Sequence, residues 1–279
     1  MNLKMLLAAT AVSMIAGTAA AQAAEWRIVA PDNLMVIDTS KGRVLVELEP
    51  RAAPNHIERI RTLTNRGFYD GLKFHRVIPN FMAQTGDPQG TGAGGSDLPD
   101  VKGEFSFRRG RDSGFVAVEN SGPGVRGIMG SLPIATQPDA QMFVTADFKV
   151  GAGGLFCPGV AGMARAGSPD SANSQFFLMT GQNDNLNGGY TTFGRVLQGL
   201  DVVKALKAGS DAEDGKVTDP DVMTKVQLAS ALPEAQRPNV RVAVPGSAAF
   251  NAAVEAARTA RGAQFGICDV QPVVEVAGG

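Results

Sequence analysis

Two short β-rich runs stand early in the chain. Leu34-Met-Val-Ile-Asp38 and Arg43-Val-Leu-Val-Glu-Leu48 are separated by Thr39-Ser-Lys-Gly42, which predicts a hairpin. Alternation in the second run places Val44, Val46 and Leu48 on one face. The period then changes. Between Pro54 and Gly67, Ile57, Ile60 and Leu63 recur at helical spacing while Arg59, Arg61 and Arg66 point elsewhere, so a helix is expected there. Residues 73–83 predict a strand bent at Pro79, and 89–95 a glycine loop. Further strands are expected at 115–118, 141–145, 175–180, 191–196 and 222–228, with a short helix at 200–207. Many short strands with two modest helices argue for a closed antiparallel barrel or a sandwich.

After Leu232 the pattern restarts. Pro233 and Pro238 punctuate a link, 240–244 alternates like a strand, and Ser247 is placed to cap a helix running to Arg261, with Gly262 behind it. A last strand is expected at 264–270, carrying Cys268. A β-α-β piece of about 45 residues is too small for a comfortable independent core, so residues 232–279 are expected to dock on the main domain.

The first residues carry an address. Lys4 precedes an apolar run that ends in Ala21-Gln22-Ala23, the small-x-small pattern of a secretory cleavage site. Thr10, Ser13, Gly17 and Thr18 interrupt the run, which suits a cleaved signal at 1–23 better than a membrane anchor. A periplasmic or secreted protein, free of the membrane after cleavage, is therefore expected. In that setting the two cysteines, Cys157 and Cys268, predict a disulfide; neither histidine, His56 or His75, lies near them in sequence, and no metal site is expected.

Composition narrows the partners. Lys+Arg 26 against Asp+Glu 27 gives no basic field for phosphates, so nucleic acid is excluded as a partner. Gly90-x-Gly92-x-x-Gly95 satisfies a dinucleotide pattern, but Pro88 and Pro99 stand where a strand-to-helix turn would be needed. No G-x-S-x-G elbow is present for a serine hydrolase. No cofactor is expected.

Two stretches carry the chemistry. The first is Phe74-His-Arg-Val-Ile-Pro-Asn-Phe-Met-Ala-Gln84, where an arginine, an aromatic, a methionine and a glutamine offer apolar area for a ring beside fixed donors. The second runs from Gly159-Val-Ala-Gly-Met-Ala-Arg-Ala-Gly167 through Asp170-Ser-Ala-Asn-Ser-Gln-Phe-Phe-Leu178 to Asn185-Leu-Asn-Gly-Gly-Tyr-Thr-Thr-Phe-Gly-Arg-Val196. Together they resemble the cyclophilins, the cyclosporin-type peptidyl-prolyl isomerases, in the form exported by bacteria. The likeness covers 33–231 and leaves an insertion at about 113–158.

The resemblance implies a mainly β fold: a closed eight-stranded antiparallel barrel capped by two helices, here with the insertion and the C-terminal extension added. It implies isomerisation of X-Pro bonds in proline-containing polypeptides, with Arg76 as the catalytic arginine. Phe81, Met82, Phe177 and Leu186 match positions lining the proline pocket. Gln84, Ala164, Arg165, Ala166 and Gln175 match positions that hold the peptide, His75 matches a histidine beside the arginine, and Tyr190 falls where bacterial members often carry tyrosine. Asn185 stands where many members have the tryptophan that contacts cyclosporin, which implies weak cyclosporin binding. A monomer is expected. The rival reading is a cyclophilin-fold chaperone or proline-peptide binding module with little catalysis.

Overall fold

The computed structural model describes residues 25–122 and 124–277. The expected signal at 1–23 lies outside the described residues.

A curled antiparallel sheet of eight strands organises the molecule. Along the sheet the order is Met223–Leu228, Leu34–Thr39, Gly42–Leu48, Thr192–Gln198, Val160–Met163, Phe176–Met179, Met82–Thr85 and Arg76–Ile78. The expected closed barrel is not a continuous ring of ladders. The outer strands meet around an isolated Lys73–Val222 bridge, with the bonds Gly71 N–H to Met223 O (2.7 Å), Met223 N–H to Leu72 O (2.9 Å) and Phe74 N–H to Asp221 O (2.9 Å) beside it. The physical reason lies at the free edge of Arg76–Ile78, where a loop has taken the backbone groups a closing ladder would use: Val77 N–H donates to Gly215 O at 2.8 Å.

Both faces of the first hairpin are buried. Met35, Ile37, Val44, Val46 and Leu48 join the main core with Phe176, Leu178 and Phe193. Leu34, Val36 and Leu45 point the other way and pack with Val240 and Val242 of the extension. The unbroken run Leu34-Met-Val-Ile37 is what a strand covered on both sides requires.

Helix α1, Pro54–Asn65, covers one end of the sheet and buries Ile57, Ile60 and Leu63, as its spacing predicts. Ala53 supplies no side-chain cap. Instead the Glu104 carboxylate accepts from Asn55 N–H (3.2 Å) and His56 N–H (3.0 Å), satisfying two free amides at the positive end of the helix. The short helix α2, Leu200–Lys204, ends earlier than expected, with Val203 and Leu206 buried beneath the hairpin.

A second sheet of five strands runs in the order Phe107–Arg109, Val150–Gly154, Leu132–Thr136, Gly124–Met129 and Val116–Ser121, so four of its strands fall within the expected insertion and one precedes it. The strand expected at 141–145 is instead a short helical turn, Asp139–Val144, which follows Pro138 and leaves Phe143 and Val144 exposed.

The extension does not stand alone. Its strands Asn239–Ala243 and Val274–Ala277 complete a three-stranded sheet with Trp26–Ile28. Helix α3, Ala248–Arg261, begins as predicted at Ser247, whose Oγ accepts from Phe250 N–H at 3.3 Å. The strand expected at 264–270 is two short turns, Gly262–Gln264 and Ile267–Asp269, because the Asp269 carboxylate bonds back to Gly266 N–H at 2.9 Å and curls the chain. Cys268 sits in the second turn and is bonded to Cys157, 111 residues earlier. Phe250, Val254, Ile267 and Val270 share one core with Met129, Leu132, Phe156 and Phe177.

Arg195 ties the insertion to the extension. It is fully buried and donates to Ser131 O at 3.0 Å and Val270 O at 2.8 Å. Burial pushes its guanidinium down to about 9.

Candidate active site

The site grows from a tight hairpin rather than the single bent strand expected at 73–83. Arg76–Ile78 pairs antiparallel with Met82–Thr85, and the turn between them has Asn80 at a φ of 59°. Arg76 is thereby set directly opposite Gln84, and Ile78 opposite Met82. Two-residue alternation then puts Arg76, Met82 and Gln84 on one face.

The Arg76 guanidinium is held on two sides. Its Nε donates to Asp214 O (2.8 Å) and Nη2 to Asp214 Oδ1 (2.9 Å), while Nη1 donates to Gln84 Oε1 (3.3 Å) and lies 3.9 Å from Met82 Sδ. Thioether sulfur is a weak acceptor, so a stronger acceptor entering the cavity can take that donor from Met82. A line of amides continues from Gln84. Because guanidinium only donates, Gln84 must turn its oxygen to Arg76 and its NH₂ to Gln175 Oε1 (2.9 Å). Gln175 in turn donates to Gly94 O (2.7 Å) and Gly92 O (3.1 Å) of the glycine loop. The arginine's orientation is thus coupled to a loop sixteen or more residues along the chain.

Beside this face lies a cavity of about 130 Å³, lined by Arg76, Phe81, Met82, Gln84, Ala164, Arg165, Phe177, Leu186 and Tyr190. Its aromatic floor is layered. The Phe177 ring centre lies 6.1 Å from that of Tyr190 and 5.6 Å from that of Phe156, and Phe156 also meets Tyr190 edge-on. Gly162 makes this possible: a Cβ there would fall 2.6 Å from both phenylalanine rings. Phe156 further bonds the loop that carries Leu186, since Asn187 Oδ1 accepts from Phe156 N–H at 3.0 Å and Phe156 O accepts from Asn183 N–H at 3.0 Å. Arg165 closes the opposite wall; its guanidinium stands 4.5 Å over the Tyr190 ring and donates to Gly189 O at 2.9 Å.

A wider groove adjoins the cavity and shares Gln84, Ala164 and Arg165 with it; Gly92 to Ser96, Ala166, Ser171 and Gln175 form the rest of its walls together with Asp100 and Asn173. Ala166 is exposed there, its N–H bonded to Ser171 Oγ at 3.0 Å. Eleven of the twelve residues singled out in the sequence as catalytic or peptide-binding therefore line two joined hollows. The exception is His75. Its side chain is 5% exposed and lies against Gly92 of the glycine loop, outside the lining of both hollows. Strand alternation explains this, because a neighbour of Arg76 must face the opposite side. Burial lowers its pKa below the ordinary 6.5, so the ring is neutral. Asn185 is exposed, with its N–H bonded to Asn183 Oδ1, and places no ring at the cavity.

Asp87 shapes the groove's far wall. It is 1% exposed and its carboxylate accepts from the N–H groups of Gln89 (2.7 Å), Thr91 (2.8 Å) and Gly92 (2.6 Å). Burial alone would raise its pKa, but these amides outweigh it and hold the carboxyl below its ordinary 3.8. A depressed folded-state pKa gives stability that is present above the unfolded value and lost as pH falls through the folded one. Urea unfolding from about pH 5 to about pH 3 should therefore show a loss of stability in the wild type that is smaller in Asp87→Asn. Equal losses would place the acid sensitivity elsewhere.

The comparisons with known proteins agree with this geometry. The family model described as cyclophilin type peptidyl-prolyl cis-trans isomerase/CLD matches residues 34–228. The chain belongs to this family. A probable peptidyl-prolyl cis-trans isomerase of Brucella suis is 35% identical over 209 residues, covering 71% of this chain and 83% of that protein. A peptidyl-prolyl cis-trans isomerase-like 1 of Aspergillus fumigatus is 34% identical over 62% of this chain and 80% of its own length. Among solved structures, the cyclophilin AquaCyp293 from Hirschia baltica superposes with a TM-score of 0.81 at 34% identity, covering 91% of this chain and 94% of that one. That coverage is wider than the span of the family model, so the likeness reaches beyond the cyclophilin segment itself. The protein is a peptidyl-prolyl cis-trans isomerase of the cyclophilin type.

Asp214 is the residue of this site that the sequence did not reveal. It is 138 positions from Arg76 and belongs to a loop with no motif of its own. Only the pairing of that loop with the edge of Arg76–Ile78 brings it there.

Proposed function

We propose that this cyclophilin acts on exported polypeptides, seating a proline ring on the Phe81, Met82, Phe177 and Leu186 cavity while Arg76 stabilises the half-rotated bond. The observation that carries this reading is the Arg76 guanidinium, fixed by Asp214 and Gln84 with Nη1 toward the cavity. Amide resonance sets a barrier of roughly 18–20 kcal/mol, and uncatalysed X-Pro rotation takes tens to hundreds of seconds. Twisting the bond breaks conjugation and leaves a lone pair on the prolyl nitrogen. A donor aimed at that lone pair favours the twisted state over either planar one, which is the difference that raises turnover. Arginine supplies it without titrating. The chemistry asks for no nucleophile, metal or cofactor.

Gln84, Gln175 and Ala164 to Ala166 hold the peptide backbone in the adjoining groove. The leader-like segment 1–23 and the paired cysteines support a periplasmic or secreted location, with the isomerase unit at 33–231, the insertion at about 113–158 and the extension at 232–279. The protein works as a monomer.

A protease-coupled or NMR exchange assay on a proline peptide tests the reading. Acceleration that saturates with enzyme bound to peptide is expected; binding without acceleration would leave the holdase reading in its place. In the same assay cyclosporin should inhibit weakly, since Asn185 offers no ring, and tight inhibition would contradict that part.

A further inference from the structure

The loop that carries Asp214 has features that no stability argument explains. Asp214 holds a left-handed backbone with φ 53°, next to Gly215 at φ 79°. Asp and Asn tolerate this region better than other side chains, but glycine suits it best. Gly215 is indispensable there, because a Cβ would fall 2.4 Å from Ile78 Cγ1. The loop is pinned along the arginine's own strand: Val77 N–H donates to Gly215 O (2.8 Å), Gly209 N–H to Val77 O (2.9 Å) and Val217 N–H to His75 O (3.0 Å). These backbone bonds fix the loop without any help from the Asp214 side chain.

That side chain is 80% exposed, and among the described residues its carboxylate pairs only with Arg76. An ion pair so exposed contributes little to folding. Its effect is directional. Of the five guanidinium donors, the Nε–H goes to the Asp214 carbonyl and one Nη2–H to its carboxylate. Two bonds to one residue, one from backbone and one from side chain, set both the position and the plane of the guanidinium, and so direct Nη1 toward Gln84 and the cavity. With the carbonyl bond alone, rotation about the Nε–H axis is left to the 3.3 Å contact with Gln84.

We infer that Asp214 is a positioning residue for catalysis, its carboxylate fixing the plane in which Arg76 presents Nη1 to the prolyl nitrogen. The inference rests on the assignment of Arg76 proposed above.

Three variants separate the possibilities. Asp214→Gly removes the carboxylate at a backbone conformation glycine prefers, so the fold and the carbonyl bond to Nε remain. A three- to tenfold loss of kcat on a proline peptide is expected, with KM and thermal midpoint unchanged. Asp214→Asn keeps an acceptor and tolerates the same φ, and should recover most of kcat. In an Arg76→Ala background, Asp214→Gly should cost nothing more. If Arg76→Ala abolishes activity but Asp214→Gly retains all of it, the positioning role is overturned while the arginine stands. Proportional losses of activity and thermal midpoint in both Asp214 variants would also overturn it, by making the loop a scaffold. If Arg76→Ala is itself fully active, the assignment of Arg76 falls, and the role of Asp214 with it.

Discussion

Arg76→Ala should lower kcat/KM on a proline peptide about a hundredfold or more, since losing a donor aimed at developing charge typically costs a factor of 10² to 10³. Stability should hardly move. The side chain is 28% exposed, its ionic partner Asp214 is more exposed still, and substitutions at such sites usually stay within about 1 kcal/mol. Arg76→Lys should fail nearly as badly. A lysine carries one charged centre, whereas this site uses three nitrogens in a plane: Nε and Nη2 toward Asp214 and Nη1 toward Gln84. The check is steady-state kinetics beside circular dichroism and a melting curve. Wild-type kinetics in the alanine variant would remove the arginine from the mechanism.

The second large effect belongs to Cys157–Cys268. Replacing both cysteines with serine should lower the unfolding free energy by roughly 4–5 kcal/mol in the chain-entropy account, because the bridge closes a loop of 111 residues. Both cysteines are buried, so the double variant is a cleaner probe than added reductant. The effect should reach the site as well. Cys157 follows Phe156, whose ring supports Phe177 and Tyr190 and whose backbone holds the Leu186 loop. A fall in peptide affinity along with the fall in urea midpoint is expected. A double-serine protein as stable as the wild type would show that the shared core of Phe250, Ile267 and Val270 suffices without the bridge.

What the sequence disclosed and what it hid divide along physical lines. Elements whose partners lie close in the chain were legible: the first hairpin, helix α1 with its Ile57, Ile60 and Leu63 stripe, and helix α3 behind Ser247. The disulfide was legible from an even cysteine count read together with the expected export signal. Motif resemblance singled out Arg76, Gln84 and Phe177, which line one cavity, together with His75, which strand alternation turns to the buried face. Local pattern misread the apolar residues Met142 to Val144 as a strand, since composition does not report whether a neighbouring strand exists. It misread 73–83 as one strand because Ile78-Pro-Asn-Phe81 turns sharply enough to fold it on itself. Contacts made only by tertiary folding left no local signal. Glu104 capping α1, Asp214 gripping Arg76 and Arg195 bridging Ser131 to Val270 each join segments far apart in sequence.

The placement of the bridge also bears on how the enzyme is made. Every residue of the proposed site, through Asp214, leaves the ribosome before Cys268 does. A growing chain can thus curl its main sheet and lay down the arginine while the base beneath Phe177 still lacks its covalent fastening. That fastening waits for the extension and for an oxidant. Maturation of this catalyst of slow chain rotations should include a late oxidation step, in which a segment synthesised after the site secures the ground beneath it.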